Sequence, residues 1–155
     1  MTPVAIQLAD LRRAKGLSLR DVADAARLSH EAVRRLERGR SLLSSAEAVA
    51  AAMKHKLVLL MDGRPVHFPG ALGMKLANVR RVLGKQRRDI VGLAAATIAD
   101  IEGNAPVRLV SVELYAALLS SDGVVFSIEV KPLNRYDLKL LKAKENAHVH
   151  ARSHC

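Results

Sequence analysis

The stretch SLRDVADAARLSHEAVRRLERGR, residues 18–40, contains two short segments with helical periodicity separated by a break. Ser18 is a candidate N-cap for the first segment, and Ser29 is a candidate N-cap for the second. In the second segment Val33 and Leu36 lie three residues apart, which places both on one inner face. The polar residues between and after them, which include four arginines, must then point outward. The stretch predicts two helices joined by a tight turn, the second with a basic outer surface.

The flanking sequence predicts further short elements. Ala5 to Lys15 has helical spacing, and Gly16 supplies a stop. Residues 44–47, SSAE, have the spacing of a capping box and predict the start of another helix. Two apolar runs then lie on either side of Asp62-Gly63 within residues 57–68, and this dipeptide indicates a β-hairpin.

Composition indicates an anionic partner. The chain of 155 residues has 25 Lys plus Arg against 15 Asp plus Glu, a net charge of +10, and a pI of about 10.4. Such values are typical of nucleic-acid-binding domains. Cys155 is the single cysteine, which excludes an intrachain disulfide and favours the cytoplasm. No apolar run approaches the roughly 20 residues of a membrane helix, so we expect no membrane association.

The sequence also contains an internal repeat. LADLRRAKG from Leu8 recurs as LANVRRVLG from Leu76, and Arg20-Asp21-Val22 recurs 68 residues later as Arg88-Asp89-Ile90. Beyond this point the second copy is three residues shorter. The later helix and strand patterns return in SVELYAALLS and GVVFSIEV. The chain therefore reads as a tandem duplication of one helical unit, each copy followed by strand.

Two short helices joined by a tight turn form a helix-turn-helix arrangement. The stretch from Leu8 to about Leu60 resembles the lambda-repressor-like domains of the Xre/Cro family, with matches at Val22-Ala23 and at residues 36–39, LERG. The resemblance covers about a third of the chain, and the second third matches in decayed form. It implies a mainly α fold of tandem helix-turn-helix units, with short β-strands or a hairpin after each unit.

The resemblance, the internal repeat and the helical spacing of Leu138 and Leu141 together predict three regions. Residues 1–69 form a DNA-binding helix-turn-helix domain with a β-hairpin. Residues 70–131 form a degenerate second unit with a strand. Residues 132–155 form a C-terminal helix and a His-rich tail.

In this family, side chains at the start of the second helix of the motif enter the major groove of DNA. By position, the expected base-contacting residues are Ser29, His30, Glu31, Arg34 and Arg35. The expected phosphate-contacting residues are Ser18, Arg20, Arg38 and Arg40. The glutamate that closes the same helix commonly pairs with an arginine of the first helix, which implies the pairs Arg12 with Glu37 and Arg80 with Glu102.

The individual contacts differ in what they specify. Arg35 is the best candidate for a bidentate guanine contact, since that contact suits a guanidinium group. Glu31 either accepts a hydrogen bond from a cytosine amine or occupies the first turn because the helix dipole favours an acid there. His30 contacts a base or a phosphate, or is simply a surface residue.

The second copy lacks these basic side chains. Its residues aligned with His30, Glu31, Arg34 and Arg35 are Ala95, Ala96, Ala99 and Asp100, and DNA phosphates would repel Asp100. The shorter copy, with Gly92 inside it, also leaves little room for a full second helix. We expect this unit to serve packing or pairing, with possible phosphate contacts outside the groove from Arg80, Arg81, Lys85, Arg87 and Arg88.

The tail and the rest of the chain give no enzymatic signature. His148, His150, His154 and Cys155 are soft-metal ligand types, but a frayed terminus has nothing to orient them, so we expect no metal site and no cofactor. No phosphate-cradling glycine motif or nucleophile-base pair is recognisable. We therefore predict no catalytic residues and no enzyme activity.

Two functions fit these observations. The first is a sequence-specific regulator of transcription, a repressor or autoregulator, that reads double-stranded DNA with helix 29–38. Because one such helix reads few base pairs, a homodimer is expected, with strands Leu57–Phe68 and Val124–Val130 offering edges for it. The alternative is an antitoxin or adaptor that mainly binds a partner protein and uses DNA binding for autoregulation.

Overall fold

The computed structural model describes residues 2–121 and 123–153, with side chains through residue 149. The first half of the chain forms α1 (Val4–Ala14), α2 (Leu19–Ala26), α3 (His30–Glu37) and α4 (Leu43–Ala52). The predicted caps of the central pair are confirmed. Ser18 Oγ accepts from the Asp21 N–H at 3.0 Å, the Asp21 carboxylate accepts from the Ser18 N–H at 2.8 Å, and Ser29 Oγ accepts from the Ala32 N–H at 3.0 Å.

The start of α4 differs from the prediction. The helix begins at Leu43, with Leu42 as its N-cap and no side-chain cap. The capping box expected at residues 44–47 is therefore wrong. The Leu43 N–H donates instead to the Val107 carbonyl at 2.9 Å, so main chain from the second half satisfies this helix terminus.

The β-structure is an antiparallel sheet of β1 (His55–Met61), β2 (Arg64–Pro65) and β3 (Phe126–Pro132), in the order β2-β1-β3. Asp62 and Gly63 form the predicted turn, with φ of 49° and 79°. Positive φ at both central residues is the geometry of a two-residue type I′ hairpin. The hairpin is confirmed, although its second strand is only two residues long.

The second half forms α5 (Leu72–Val82), a 3₁₀ turn (Arg87–Asp89), α6 (Ala95–Glu102), α7 (Leu109–Leu119) and, after β3, α8 (Arg135–Ser153). Where the first half has the eight-residue α2, the second has the three-residue 3₁₀ turn. Gly92 follows it with φ of 117°, a conformation that ends regular helix. The expected lack of room for a full helix is confirmed.

The hydrophobic core runs through both halves. One cluster of buried side chains includes Leu8 and Leu36 from the first half, Ile98 and Tyr115 from the second, and Leu59 from the sheet. Because β1 pairs along its length with β3, the sheet joins the two halves directly. The architecture is mainly α with a small sheet, as expected.

The two strand regions expected to offer edges for a homodimer pair with each other. β1 pairs with β3 along its whole length and with β2 only at Leu60 and Met61. On the outer edge of β3, the Gln7 side chain of α1 accepts from the Val130 N–H at 2.9 Å and donates to the Ile128 carbonyl at 3.4 Å. Each of these two strands therefore uses one edge to pair with the other, and a homodimer through the edges that remain stays a prediction.

The last helix contacts the sheet near its own start. Lys56 of β1 pairs with Asp137 of α8 at 2.7 Å, and the hydrogen bond from Lys56 lowers the pKa of that carboxyl.

Within residues 2–121 and 123–153, no helix has the length and apolar character needed to cross a membrane. The same residues contain no group of three or more His, Cys, Asp or Glu side chains placed to hold a metal. Of the tail ligand types, His154 and Cys155 lie outside the described residues, as does the side chain of His150.

Candidate nucleic-acid interface

An ion pair fixes the position of α3 on the body of the domain. Arg12 Nε donates to Glu37 Oε1 at 2.6 Å and Nη2 donates to Oε2 at 3.1 Å, while Nη1 donates to the Leu17 carbonyl at 2.9 Å. The hydrogen bond to Glu37 raises the pKa of Arg12. One guanidinium thus joins α1, the segment before α2 and the end of α3. The pair implied by the family resemblance is confirmed, and it serves the scaffold.

The outer face of α3 carries the predicted base-contacting residues. Val33 and Leu36 are both 0% exposed and anchor the opposite face in the core. The exposed surface of the helix and its N-cap is formed by the five predicted residues Ser29, His30, Glu31, Arg34 and Arg35. The structure therefore brings this whole set together on one solvent-facing surface.

The predicted phosphate-contacting residues flank that face and are also exposed. Ser18 caps α2, Arg20 lies in its first turn, and Arg38 is the C-cap of α3. Gly39 has φ of 76°, and the Arg40 N–H donates back to the Arg35 carbonyl at 2.9 Å. This C-terminal turn places Arg40 beside the end of α3.

The arginines of this surface carry charge that the fold does not neutralise. In the part of the chain that the structure describes, no ion pair involves any of Arg20, Arg34, Arg35, Arg38 and Arg40. Exposed guanidinium groups without a carboxylate partner can form ion pairs with DNA phosphates. The surface is thus electrostatically suited to a polyanion.

The second half contains the same ion-pair geometry in a more buried form. Arg80 donates to Glu102 from Nε at 2.7 Å and from Nη2 at 3.0 Å, and its Nη1 donates to the Lys85 carbonyl at 2.8 Å. Glu102 also accepts from the Tyr115 hydroxyl at 2.6 Å and from Arg87 Nε at 3.1 Å. Its side chain is 3% exposed, against 16% for Glu37. This pair, also implied by the resemblance, is confirmed.

The outer surface of α6 differs from that of α3. Ala95, Ala96 and Asp100 are exposed, and Ala99 is half-buried. This helix presents methyl groups and one acid where α3 presents two arginines. At the aligned positions it lacks the guanidinium groups that suit a bidentate contact to guanine.

Sequence reasoning missed one arginine next to the interface. An open cleft of about 350 Å³ is lined by Arg35 and Arg40 together with Arg108, the exposed N-cap residue of α7. Arg108 reaches this position because it pairs with Leu42 in an isolated antiparallel bridge. No local pattern in the sequence indicates a contact between positions so far apart.

Comparison with known families agrees with this geometry for the first part of the chain. Residues 4–55 match the family model of a helix-turn-helix domain. Searches of curated proteins and of solved structures return no match for the chain. The matched residues comprise α1 to α4, about a third of the chain, so the structural unit around α2 and α3 is similar to a helix-turn-helix domain.

Proposed function

We propose that the protein is a sequence-specific regulator of transcription, a repressor or autoregulator, that binds double-stranded DNA with α3 in the major groove. The observation that carries this proposal is the exposed face of α3, where Arg34 and Arg35 have no carboxylate partner among the described residues. The ion pair between Arg12 of α1 and Glu37 of α3, which fixes the position of this helix, supports it. The match to a helix-turn-helix domain supports DNA as the ligand.

The proposed interface divides into two kinds of contact. Arg35 forms a bidentate hydrogen bond to guanine, with Ser29, His30, Glu31 and Arg34 on neighbouring base edges. Ser18, Arg20, Arg38 and Arg40 contact phosphates around this surface. Phosphate contacts supply most of the affinity and base contacts supply the specificity. The net charge of +10 favours the phosphate contacts on any duplex.

We further propose that residues 70–131 are a degenerate second helix-turn-helix unit that stabilises the first. The ion pair of Arg80 with Glu102 supports this, because it repeats the geometry of Arg12 with Glu37. The alanines on α6, which align with predicted base-contacting residues of α3, support the proposal that this unit no longer recognises bases. Residues 1–69 then hold the DNA-reading function, and residues 132–155 form an appended helix and tail.

A mobility-shift titration of genomic DNA fragments tests the proposed function. We expect binding at low salt, with log K falling linearly with log[salt] by about 0.9 per neutralised phosphate. A competitor duplex of unrelated sequence should displace the protein from all but the operator fragments. Absence of binding to any fragment at low salt would refute the proposal.

The stoichiometry of the complex is a separate question. A homodimer with half-sites about 34 Å apart stays a prediction, which sedimentation and footprinting would check. The alternative function, an antitoxin or adaptor, predicts the same DNA-binding half. It would be favoured if a second polypeptide accompanied the native protein stoichiometrically through purification.

A further inference from the structure

The two halves of the chain exchange hydrogen bonds next to α3. The Leu43 N–H donates to the Val107 carbonyl at 2.9 Å, and the Leu109 N–H donates to the Ser41 carbonyl at 3.0 Å. Leu43 is the first residue of α4, and Leu109 is the first residue of α7. Main-chain hydrogen bonds therefore run in both directions between the N-terminal ends of α4 and α7.

Such an exchange is the hydrogen-bond pattern of an antiparallel bridge, and it is also compatible with an interface of two-fold symmetry. In such an interface, residue i of one side contacts residue j of the other, and j contacts i in return. The antiparallel pairing of β1 with β3 has the same character, since each strand belongs to a different half. The two halves thus pair at the starts of α4 and α7 and again through the sheet.

The arrangement brings a cation from the second half to the predicted DNA-binding surface. Arg108 lies opposite Leu42 in the bridge, and it lines one cleft with Arg35 and Arg40. All three side chains are exposed, and none forms an ion pair with the residues that the structure describes. Three like charges around one cleft repel one another, and a bound phosphate would relieve that repulsion.

We propose that Arg108 contacts a DNA phosphate, so that the second half extends the phosphate-binding surface of Arg38 and Arg40. The inference rests on the proposed function, in which α3 binds duplex DNA. By the reciprocal pairing, the position equivalent to Arg108 in the first half is Leu42, so this arginine is not part of the repeated pattern. The second half then contributes affinity without base recognition.

The test compares Arg108→Ala with the wild-type protein on two probes. One is a genomic duplex that the wild-type protein retains, and the other is a duplex of unrelated sequence. We expect weaker binding to both by a similar factor, with the slope of log K against log[salt] reduced by about 1. Lys139→Ala removes the same charge from the exposed surface of α8 and should leave the slope unchanged.

A second variant separates binding from folding. Arg108→Gln retains most of the side chain's length and should show the same loss of slope, with a thermal midpoint equal to that of the wild type. An unchanged affinity and slope in both variants would overturn the inference. Arg35→Ala keeps the two proposals apart: if it alters base preference while Arg108→Ala changes nothing, the proposed function stands and this inference fails. If the wild-type protein binds neither probe, the proposed function itself fails.

Discussion

Glu102 accepts from Arg80 through both carboxylate oxygens, at 2.7 and 3.0 Å, in the arrangement that also joins Glu37 to Arg12. The two pairs differ in their surroundings. Glu102 is almost fully buried and has Tyr115 as an additional partner, whereas Glu37 remains accessible to water. Hydrogen bonds to a buried carboxylate are costly to lose, since a partner left alone is desolvated without compensation. The second half is thus more dependent on its ion pair than the first.

Replacement of Glu102 by Gln should therefore destabilise the protein strongly. Removing one partner of a buried pair typically costs about 3–5 kcal/mol, because the other charge stays buried. Glu37→Gln, at the equivalent but more exposed position, should cost less. Urea unfolding of both variants measures the free energies of unfolding. Equal losses for the two variants would contradict the difference in burial as the cause.

The stability of the protein should also depend on pH through the ionisation of Glu102. Burial raises the pKa of this carboxyl, but the hydrogen bonds from Arg80, Tyr115 and Arg87 outweigh it and lower the pKa from 4.5 to about 2. A group with a lowered pKa in the folded state stabilises the protein fully above its unfolded pKa. That contribution, about 3 kcal/mol, is lost as the pH falls from about 4.5 towards 2.

Urea midpoints of the wild-type protein and Glu102→Gln, measured from neutral pH to about pH 3, test this dependence. The difference in stability between the two proteins should narrow as the pH falls, because the wild type loses the contribution that the variant lacks. A difference that stays constant over this interval would assign the cost of the substitution to packing instead of charge.

Arg35→Ala should relax base specificity. Loss of a bidentate guanine contact costs about 1–3 kcal/mol and affects one base position. Arg38→Ala should weaken binding to all sequences alike, since a phosphate contact carries no base information. The measurement is binding of each variant to the native operator and to single-base variants of it at one fixed salt concentration.

Asp100→Ala is the matched control for Arg35→Ala, because Asp100 aligns with Arg35 in the repeat. It should leave base preference unchanged and at most strengthen binding slightly, by removing a negative charge. A change of base preference in Asp100→Ala, with none in Arg35→Ala, would assign base recognition to α6.

Gly73→Ala should disrupt the second half. A Cβ atom at Gly73 would clash with the Ile101 carbonyl oxygen, so α5 and α6 would have to separate. The equivalent residue in the first half is Ala5, which is buried without such a conflict. We expect Gly73→Ala to lower the thermal midpoint markedly. Ala5→Gly should cost about 1 kcal/mol through helix propensity and about 0.8 kcal/mol for the buried methyl group. A midpoint of Gly73→Ala equal to that of the wild type would show that the two helices are free to separate.

Local signals predicted the parts of the fold that depend on neighbouring residues. Ser18 and Ser29 cap their helices as expected, and Asp62-Gly63 forms the hairpin turn, because each of these structures closes within four residues. The outer face of α3 followed from the spacing of Val33 and Leu36. The identity of its scaffold pair came from the family resemblance and not from periodicity.

Features that depend on distant residues could not be predicted in this way. The spacing of SSAE at residues 44–47 fits a capping box, but the Leu43 N–H already has the Val107 carbonyl as its acceptor. The partner of β1 is likewise β3, and side-chain alternation identifies a strand without identifying its neighbour. Arg108 was missed for the same reason, since only the bridge to Leu42 brings it to the cleft.

The reciprocal bonds between the starts of α4 and α7 also bear on how this molecule can evolve. In a dimer of identical subunits, one codon specifies both copies of a residue, so the two DNA-facing helices must change together. In this chain the two sides are encoded separately, and the bonds that join them use main-chain atoms, which substitutions leave in place. Arg35 and Asp100 can therefore differ in charge while the interface stays intact. The genetic constraint that makes two half-sites mirror each other does not act between the halves of this protein.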